Sequence, residues 1–490
     1  MTSSRRPNHA LRTLLTEAGW SAVDLAREVN RAGQEAGTAL SFDRSTVAHW
    51  LSGTRPRGTT PQLITEALSR RLHRVVTPAE AGLDGDAPAV PAPDAVAAAP
   101  VDLTLRQLAA LHGRGGHRAE ELAAYSVSLL DLPGLPGPPG LPGGPGLPGL
   151  PGSPGPGAAH PARPDAPQFP RVPVPRSAPP AGAPAHRPVD RHEVEAVETI
   201  AQLFHSSDAT FGGGHGRTAL VGYLAADLGP KLHRPARPAL RRRLLTTASQ
   251  LAYLCAFMHF DDNLQVFTQH YYLAALRLAA ENNSPLDYAV ALRGLSVQAD
   301  ALGHSAEAAA LAETALGTLR GDPLQQAFVH GQLAVAQAHR RARPEAFRAI
   351  GAAERLLDRG TGPAGAVVGR YHRAALLRQQ AAVLEAFGDP AGALGALEES
   401  LRFRPQEEHR SRAVVLADLG RLQLQSGHLT EAVGSWHRLL DVYPTLRSRR
   451  VDRALADVRG RLRPHTNDAH VRALLHRLAG HRVPDPRRAR

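Results

Sequence analysis

Residues 43 to 57 read Asp43-Arg44-Ser45-Thr46-Val47-Ala48-His49-Trp50-Leu51-Ser52-Gly53-Thr54-Arg55-Pro56-Arg57. Asp43 is suited to cap a helix start, because its carboxylate can accept from an unpaired backbone N–H. Val47, Trp50 and Leu51 fall at i, i+3 and i+4, so they share one face that a core would bury. Arg44, Ser45 and His49 lie off that face and reach outward. Gly53 supplies the left-handed residue that stops a helix, and Pro56 blocks its continuation. Arg55 and Arg57 then stand in a loop. The stretch predicts a short helix with one apolar stripe and one polar face.

The neighbouring residues extend the pattern. Leu11, Leu14 and Leu15 line one side of a helix that breaks at Gly19. Ser21 caps a second, with Leu25, Ala26 and Val29 inward. A further helix after Pro61 carries Leu63, Ile64, Leu68 and Leu72. Over residues 8–83 this order resembles a Cro/repressor-type helix-turn-helix domain. The resemblance implies double-stranded DNA as partner. It places Arg44, Ser45 and His49 at base-reading positions, with Thr46 reading beside them or bonding a phosphate. Arg55 and Arg57 would clamp the DNA backbone. A single short helix reads few base pairs, so a homodimer on paired half-sites is expected. One departure is the stretch Asn30–Phe42, with Gly33 and Gly37 inside, where the family has a tight turn. It either extends the second helix or forms a wing. The competing reading is a small helical bundle that does not bind DNA.

The chain has 490 residues and a formal net charge of +12, which suggests more than one domain. Lys231 is its only lysine, so arginine supplies nearly all the positive charge, as GC-rich coding would give. Residues 1–83 hold 11 Arg against 7 Asp and Glu, compatible with nucleic-acid contact through counterion release. Cys255 is the only cysteine and falls on an apolar face with Leu251, Leu254 and Met258, so it reads as a small buried hydrophobe. Met1–Asn8 leads into an amphipathic helix rather than a secretory signal, and no apolar run is long enough to span a bilayer. The expected location is the cytoplasm, with no membrane partner. Scarce aromatics and abundant Ala and Leu favour an all-α protein over a sheet.

Residues 84–100, rich in Ala, Pro and Asp, read as a linker, and 101–131 as the helical start of a second domain. Within 132–189 lies a collagen-like tract. Between Gly134 and Gly157 glycine recurs at every third position for eight triplets, and Pro- and Ala-rich text follows. This reads as a disordered or polyproline-II insertion, with trimerisation or peptide docking as the other readings. Residues 481–490 form a basic tail.

Residues 190–480 carry a repeat. A helix-ending residue is followed by Ala five positions on, an apolar residue four later, and another small or apolar residue three after that. The copies are Gly303/Ala308/Ala312/Ala315, Gly388/Ala393/Leu397/Ser400 and Gly427/Ala432/Trp436/Leu439, with a weaker one at Arg341/Ala346/Ile350/Ala353. Phe267, Tyr271 and Ala274 fit a second helix. First helices supply Leu292/Leu295, Leu333/Ala334, Leu377/Ala381 and Leu416/Leu419/Gly420. The pattern resembles the tetratricopeptide repeat, although its alanine anchors lie 38 to 47 residues apart and not 34. The resemblance implies an α-solenoid whose groove takes a peptide or protein. In that register Arg293, Arg378 and Arg421 face the groove, where arginine could pair with a carboxylate. Three solvated arginines are the alternative.

Chemistry-bearing motifs are missing. There is no Gly-x-x-x-x-Gly-Lys-Ser/Thr loop, His-Glu-x-x-His pair or Gly-x-Ser-x-Gly elbow. Phe211-Gly-Gly-Gly-His-Gly-Arg217 reads as a loop before a helix at 218–228, with anion binding at that helix as the other reading. His259, Asp261 and Asp262 are too few to specify a metal. The expectation is a non-enzymatic transcriptional regulator without cofactor. Its helix-turn-helix would bind DNA and its repeats would sense a partner or dimerise. Its layout resembles actinomycete regulators that join these modules, some of which repress sporulation and antibiotic production, and also the peptide-pheromone receptors of other Gram-positive bacteria. The rival expectation is an adaptor built on the repeats.

Overall fold

The computed structural model describes residues 6–83, 101–113, 125–130, 187–319, 321–360 and 371–481. The architecture is all-α. Among the described residues the only β pairing is an isolated bridge between Val189 and Ala236. No described helix is long and apolar enough to cross a membrane. The linker 84–100, the collagen-like tract and the basic tail after His481 lie outside the described residues.

Four helices build the N-terminal unit: α1 (His9–Ala18), α2 (Ala22–Glu35), α3 (Arg44–Leu51) and α4 (Thr60–Leu72). Their starts follow from local chemistry. Asn8 caps α1, Ser21 and Asp24 cap α2 reciprocally, and Asp43 caps α3 by accepting from the Thr46 N–H at 2.9 Å. Gly19 ends α1 in the left-handed region at φ 63°. Leu11, Leu25, Val29, Val47, Ile64 and Leu68 fill the core between the four helices. The stretch from Asn30 lengthens α2 to Glu35 and then returns as a loop with no strand in it. Asn30 secures that loop from both sides. Its Nδ2 donates to the Phe42 carbonyl and its Oδ1 accepts from the Phe42 N–H, each at 2.8 Å.

Helix α5 (Val101–Gly113) and the short 3₁₀ turn Val127–Leu130 pack into the core of the second unit through Leu105, Leu108 and Leu129. That unit opens with α6 (Arg191–Phe211) and α7 (Gly213–Tyr223). A π-helical turn at Leu224–Leu228 and the short α8 (Gly229–His233) carry α7 onward. Thr218–Leu228 is therefore helical, but the helix begins earlier than the sequence indicated. Only Gly212 separates α6 from α7, and the rest of the glycine run lies inside α7. The reason is close packing. A Cβ on Gly213 would sit 2.8 Å from the Met258 Cα.

Helix pairs then stack in order: α9 (Pro238–Asp261) with α10 (Gln265–Glu281), α11 (Pro285–Ala301) with α12 (Ser305–Thr318), and α13 (Pro323–His339) with α14 (Arg343–Arg359). Next come α15 (Arg373–Ala386) with α16 (Pro390–Phe403), and α17 (His409–Gln425) with α18 (Leu429–Val442). Helices α19 (Arg449–Leu462) and α20 (Ala469–Gly480) finish the chain. Stacking buries apolar faces that one pair alone could not cover, in three clusters that follow one another along the chain. The anchors of the repeat mark the turns within pairs. Gly303, Gly388 and Gly427 have φ of 91°, 79° and 85°, and the weaker copy puts Arg341 there at 62°.

The solenoid closes on itself. The Arg447 N–H donates to the Phe211 carbonyl at 2.8 Å, and the Gly214 N–H donates to the Arg447 carbonyl at 3.0 Å. Gly212 permits this approach, at φ 83° and with no room for a Cβ beside that carbonyl. Arg410 of α17 adds a buried ion pair with Asp208 of α6 at 2.6 Å. The glycine run thus seats the far end of the solenoid, and the Gly214 N–H that an anion would need is taken.

Candidate nucleic-acid interface

Helix α3 sorts its side chains as the i, i+3 spacing requires. Val47 and Trp50 are buried, and Trp50 meets Phe42 edge-on with ring centroids 5.0 Å apart. Arg44, Ser45 and His49 are exposed, and Thr46 is half-buried. Ser45 and Thr46 donate their hydroxyls to the Asp43 carboxylate at 2.7 and 2.8 Å, so both serve the cap. These bonds, with the Thr46 N–H first among them, hold the Asp43 pKa down at about 2. Arg55 and Arg57 are exposed in the loop between α3 and α4.

Charge pairing divides the surface of this unit. Arg27 and Arg31 pair with Asp24 and Glu28, Arg74 with Glu17 and Glu80, and Arg71 donates to the Ala18 carbonyl. Arg44, Arg55 and Arg57 are exposed and pair with no described carboxylate, and neither do Arg6 before α1 and Arg12 on it. Arg6 is a residue the sequence reading missed. Its carbonyl lies where a Cβ on Gly53 would be, 2.1 Å away, and the Asn8 N–H donates to the Leu51 carbonyl. The segment before α1 therefore runs beside the end of α3, adjacent to the Arg55 loop. No local pattern signals this contact, which joins residues far apart in the chain.

The three arginines expected to face a groove are separately placed. Arg378 of α15 pairs with Asp418 of α17 at 3.0 Å, and Arg421 holds both oxygens of Glu385 at 2.6 and 2.7 Å. Arg293 has no described carboxylate partner. Its guanidinium lies 3.6 Å over the Phe328 ring and its buried Nε has no hydrogen-bond partner. Cys255 is buried, and burial pushes its thiol pKa well up. Arg217 pairs with Asp262 at 3.0 Å, which joins the glycine run to the His259–Asp262 stretch. Among the described residues no group of three or more His, Cys, Asp or Glu side chains is placed to hold a metal.

Residues 11–84 match the family model described as SP15 N-terminal domain. The chain is similar to that family over α1 to α4 and the turn beyond. No curated protein matches it.

Proposed function

We propose that this chain is a DNA-binding transcriptional regulator. Its N-terminal unit would be a helix-turn-helix of the Cro/repressor type and its solenoid a tetratricopeptide-like domain that binds a peptide or protein, dimerises, or does both. The observation that supports the reading is the set of exposed arginines without a described carboxylate partner at α3 and its following loop, Arg44, Arg55 and Arg57, with Arg6 beside them. Arg12 on α1 is unpaired as well, whereas Arg27, Arg31, Arg70 and Arg74 are held by carboxylates. Leaving cations unpaired beside an exposed helix is what a phosphate backbone would reward, through counterion release. Arg44, Ser45 and His49 would face base edges in the major groove, with Thr46 at the rim, and Arg55 and Arg57 would hold phosphates. In the solenoid, Arg293 is the groove arginine most available to a ligand carboxylate, since Arg378 and Arg421 already hold Asp418 and Glu385.

The test is to select fragments of the source genome with the full chain and titrate the best one at several salt concentrations. Sequence-selective binding that Arg44→Ala relaxes supports the regulator. Binding equal for all sequences, collapsing with salt, would leave a protein–protein adaptor as the better reading.

A further inference from the structure

Helix α4 is buried on every side from Pro61 to Ser69. One side completes the core of the N-terminal unit. The other meets the solenoid through charged groups that are themselves buried. Arg70 donates to Glu35 of α2 at 2.6 Å and to Glu66 at 2.7 Å. Glu66 in turn meets the His304 Nε2 at 3.0 Å, and His304 sits in the turn between α11 and α12. The Tyr125 ring stacks on His304 at 5.6 Å, while Gln269 of α10 bonds the Ser126 backbone through its Oε1 and Nε2. Val266 of α10 joins the N-terminal core directly. Charges buried this thoroughly are costly unless all are partnered, so the arrangement favours one docking geometry over its neighbours. Arg44, His49, Arg55 and Arg57 remain exposed while the contact is made.

We propose that Glu35, Arg70, Glu66 and His304 form a latch that fixes the N-terminal unit at one orientation on the solenoid. The latch presents α3 and does not hide it. In a paired assembly it would set the distance between two reading heads, so release would trade one fixed spacing for many. This second step rests on the DNA-binding reading; the latch itself does not.

The experiment places spin labels at Arg12→Cys and Glu431→Cys in the full chain, both exposed positions, and measures the distance between them. Cys255 is fully buried, and labelling of the unaltered chain checks that it stays unreacted. The expected result is one narrow distance for the parent, a broad distribution for His304→Ala, and a narrow one again for His304→Gln, which keeps a donor for Glu66. Far-UV circular dichroism confirms that each variant is folded, and Tyr125→Ala serves if His304→Ala is not. A narrow, unchanged distance in a folded His304→Ala or Tyr125→Ala chain overturns the latch. A DNA arm runs beside it. On paired half-sites the affinity of His304→Ala should fall by about tenfold or more, the loss of effective concentration expected when linked heads are no longer held in register. On a single half-site it should be unchanged. A parent that binds no DNA yet shows the distance change removes the DNA reading and leaves the latch.

Discussion

Gly420 of α17 lies directly against Trp436 of α18, so closely that a Cβ at Gly420 would stand 2.5 Å from the indole Nε1. Trp436 is fully buried, and the indole can be accommodated there only because the facing residue has no side chain. Gly420→Ala should therefore destabilise the C-terminal pairs by about 1–3 kcal/mol through overpacking. Denaturant unfolding followed by far-UV circular dichroism measures it, in a way that does not depend on Trp436 as a reporter. In a Trp436→Phe background the same change should cost clearly less, and equal costs in the two backgrounds would show that the steric account is wrong.

The contact between Arg410 and Asp208 closes the solenoid, and its energetics are those of a buried ion pair. Burial raises the Asp208 pKa even with the guanidinium beside it. Arg410→Ala removes the only described cation paired with that carboxylate and should cost about 3–5 kcal/mol. Adding Asp208→Asn should recover part of the loss, since no uncompensated charge remains. Hydrogen exchange at α6 and α17 is the readout. Increased exchange at both ends of the solenoid in Arg410→Ala is expected, and protection unchanged at both would contradict the closure.

The fold was legible where local rules suffice. Gly19, Ser21, Asp43 and Gly53 mark ends that the structure places within a residue or so, because caps and left-handed glycines act over a single turn. Gly303, Gly388 and Gly427 were legible for the same reason. Gly420 and Trp436 were visible as anchors of one repeat, but their mutual contact was not. What escaped was long-range. Nothing near Gly212 announces Arg447, and nothing near Glu66 announces His304, because each pair is joined only when many helices have stacked. At the candidate interface the outward residues of α3 followed from periodicity. Arg6 did not, since its position depends on a close approach to Gly53 across the unit. The Asp418 and Glu385 partners of the groove arginines were likewise hidden, each lying one helix pair away.

Asp43 links pH to the shape of α3. Its folded pKa, about 2, lies below the ordinary value of 3.8. A carboxylate with a depressed folded pKa contributes stability above its unfolded pKa and loses it as pH falls through the folded one. The contribution of this cap should thus be complete above about pH 5, fall as pH drops through the folded value, and be gone by about pH 1. Amide exchange or chemical shifts at Thr46 and Val47 will follow the loss. Asp43→Ala should abolish that local dependence and fray the first turn at neutral pH. A Thr46 amide with the same pH response in the variant would assign the effect to another group.

Arg55 and Arg57 test the division of labour that the proposed DNA binding assigns to them. Both are exposed, unpaired and placed past the end of α3, where they would meet phosphates and not base edges. Each change to alanine should weaken binding evenly across DNA sequences and lower the slope of log affinity against log salt by about 1. Arg44→Ala should act differently, costing about 1–3 kcal/mol on the preferred site and much less on others. Competition titrations at a series of salt concentrations separate the two outcomes. If Arg55→Ala or Arg57→Ala alters sequence preference while leaving the salt slope alone, the loop reads bases, and the docking of α3 in the groove must be rotated toward its C-terminal end.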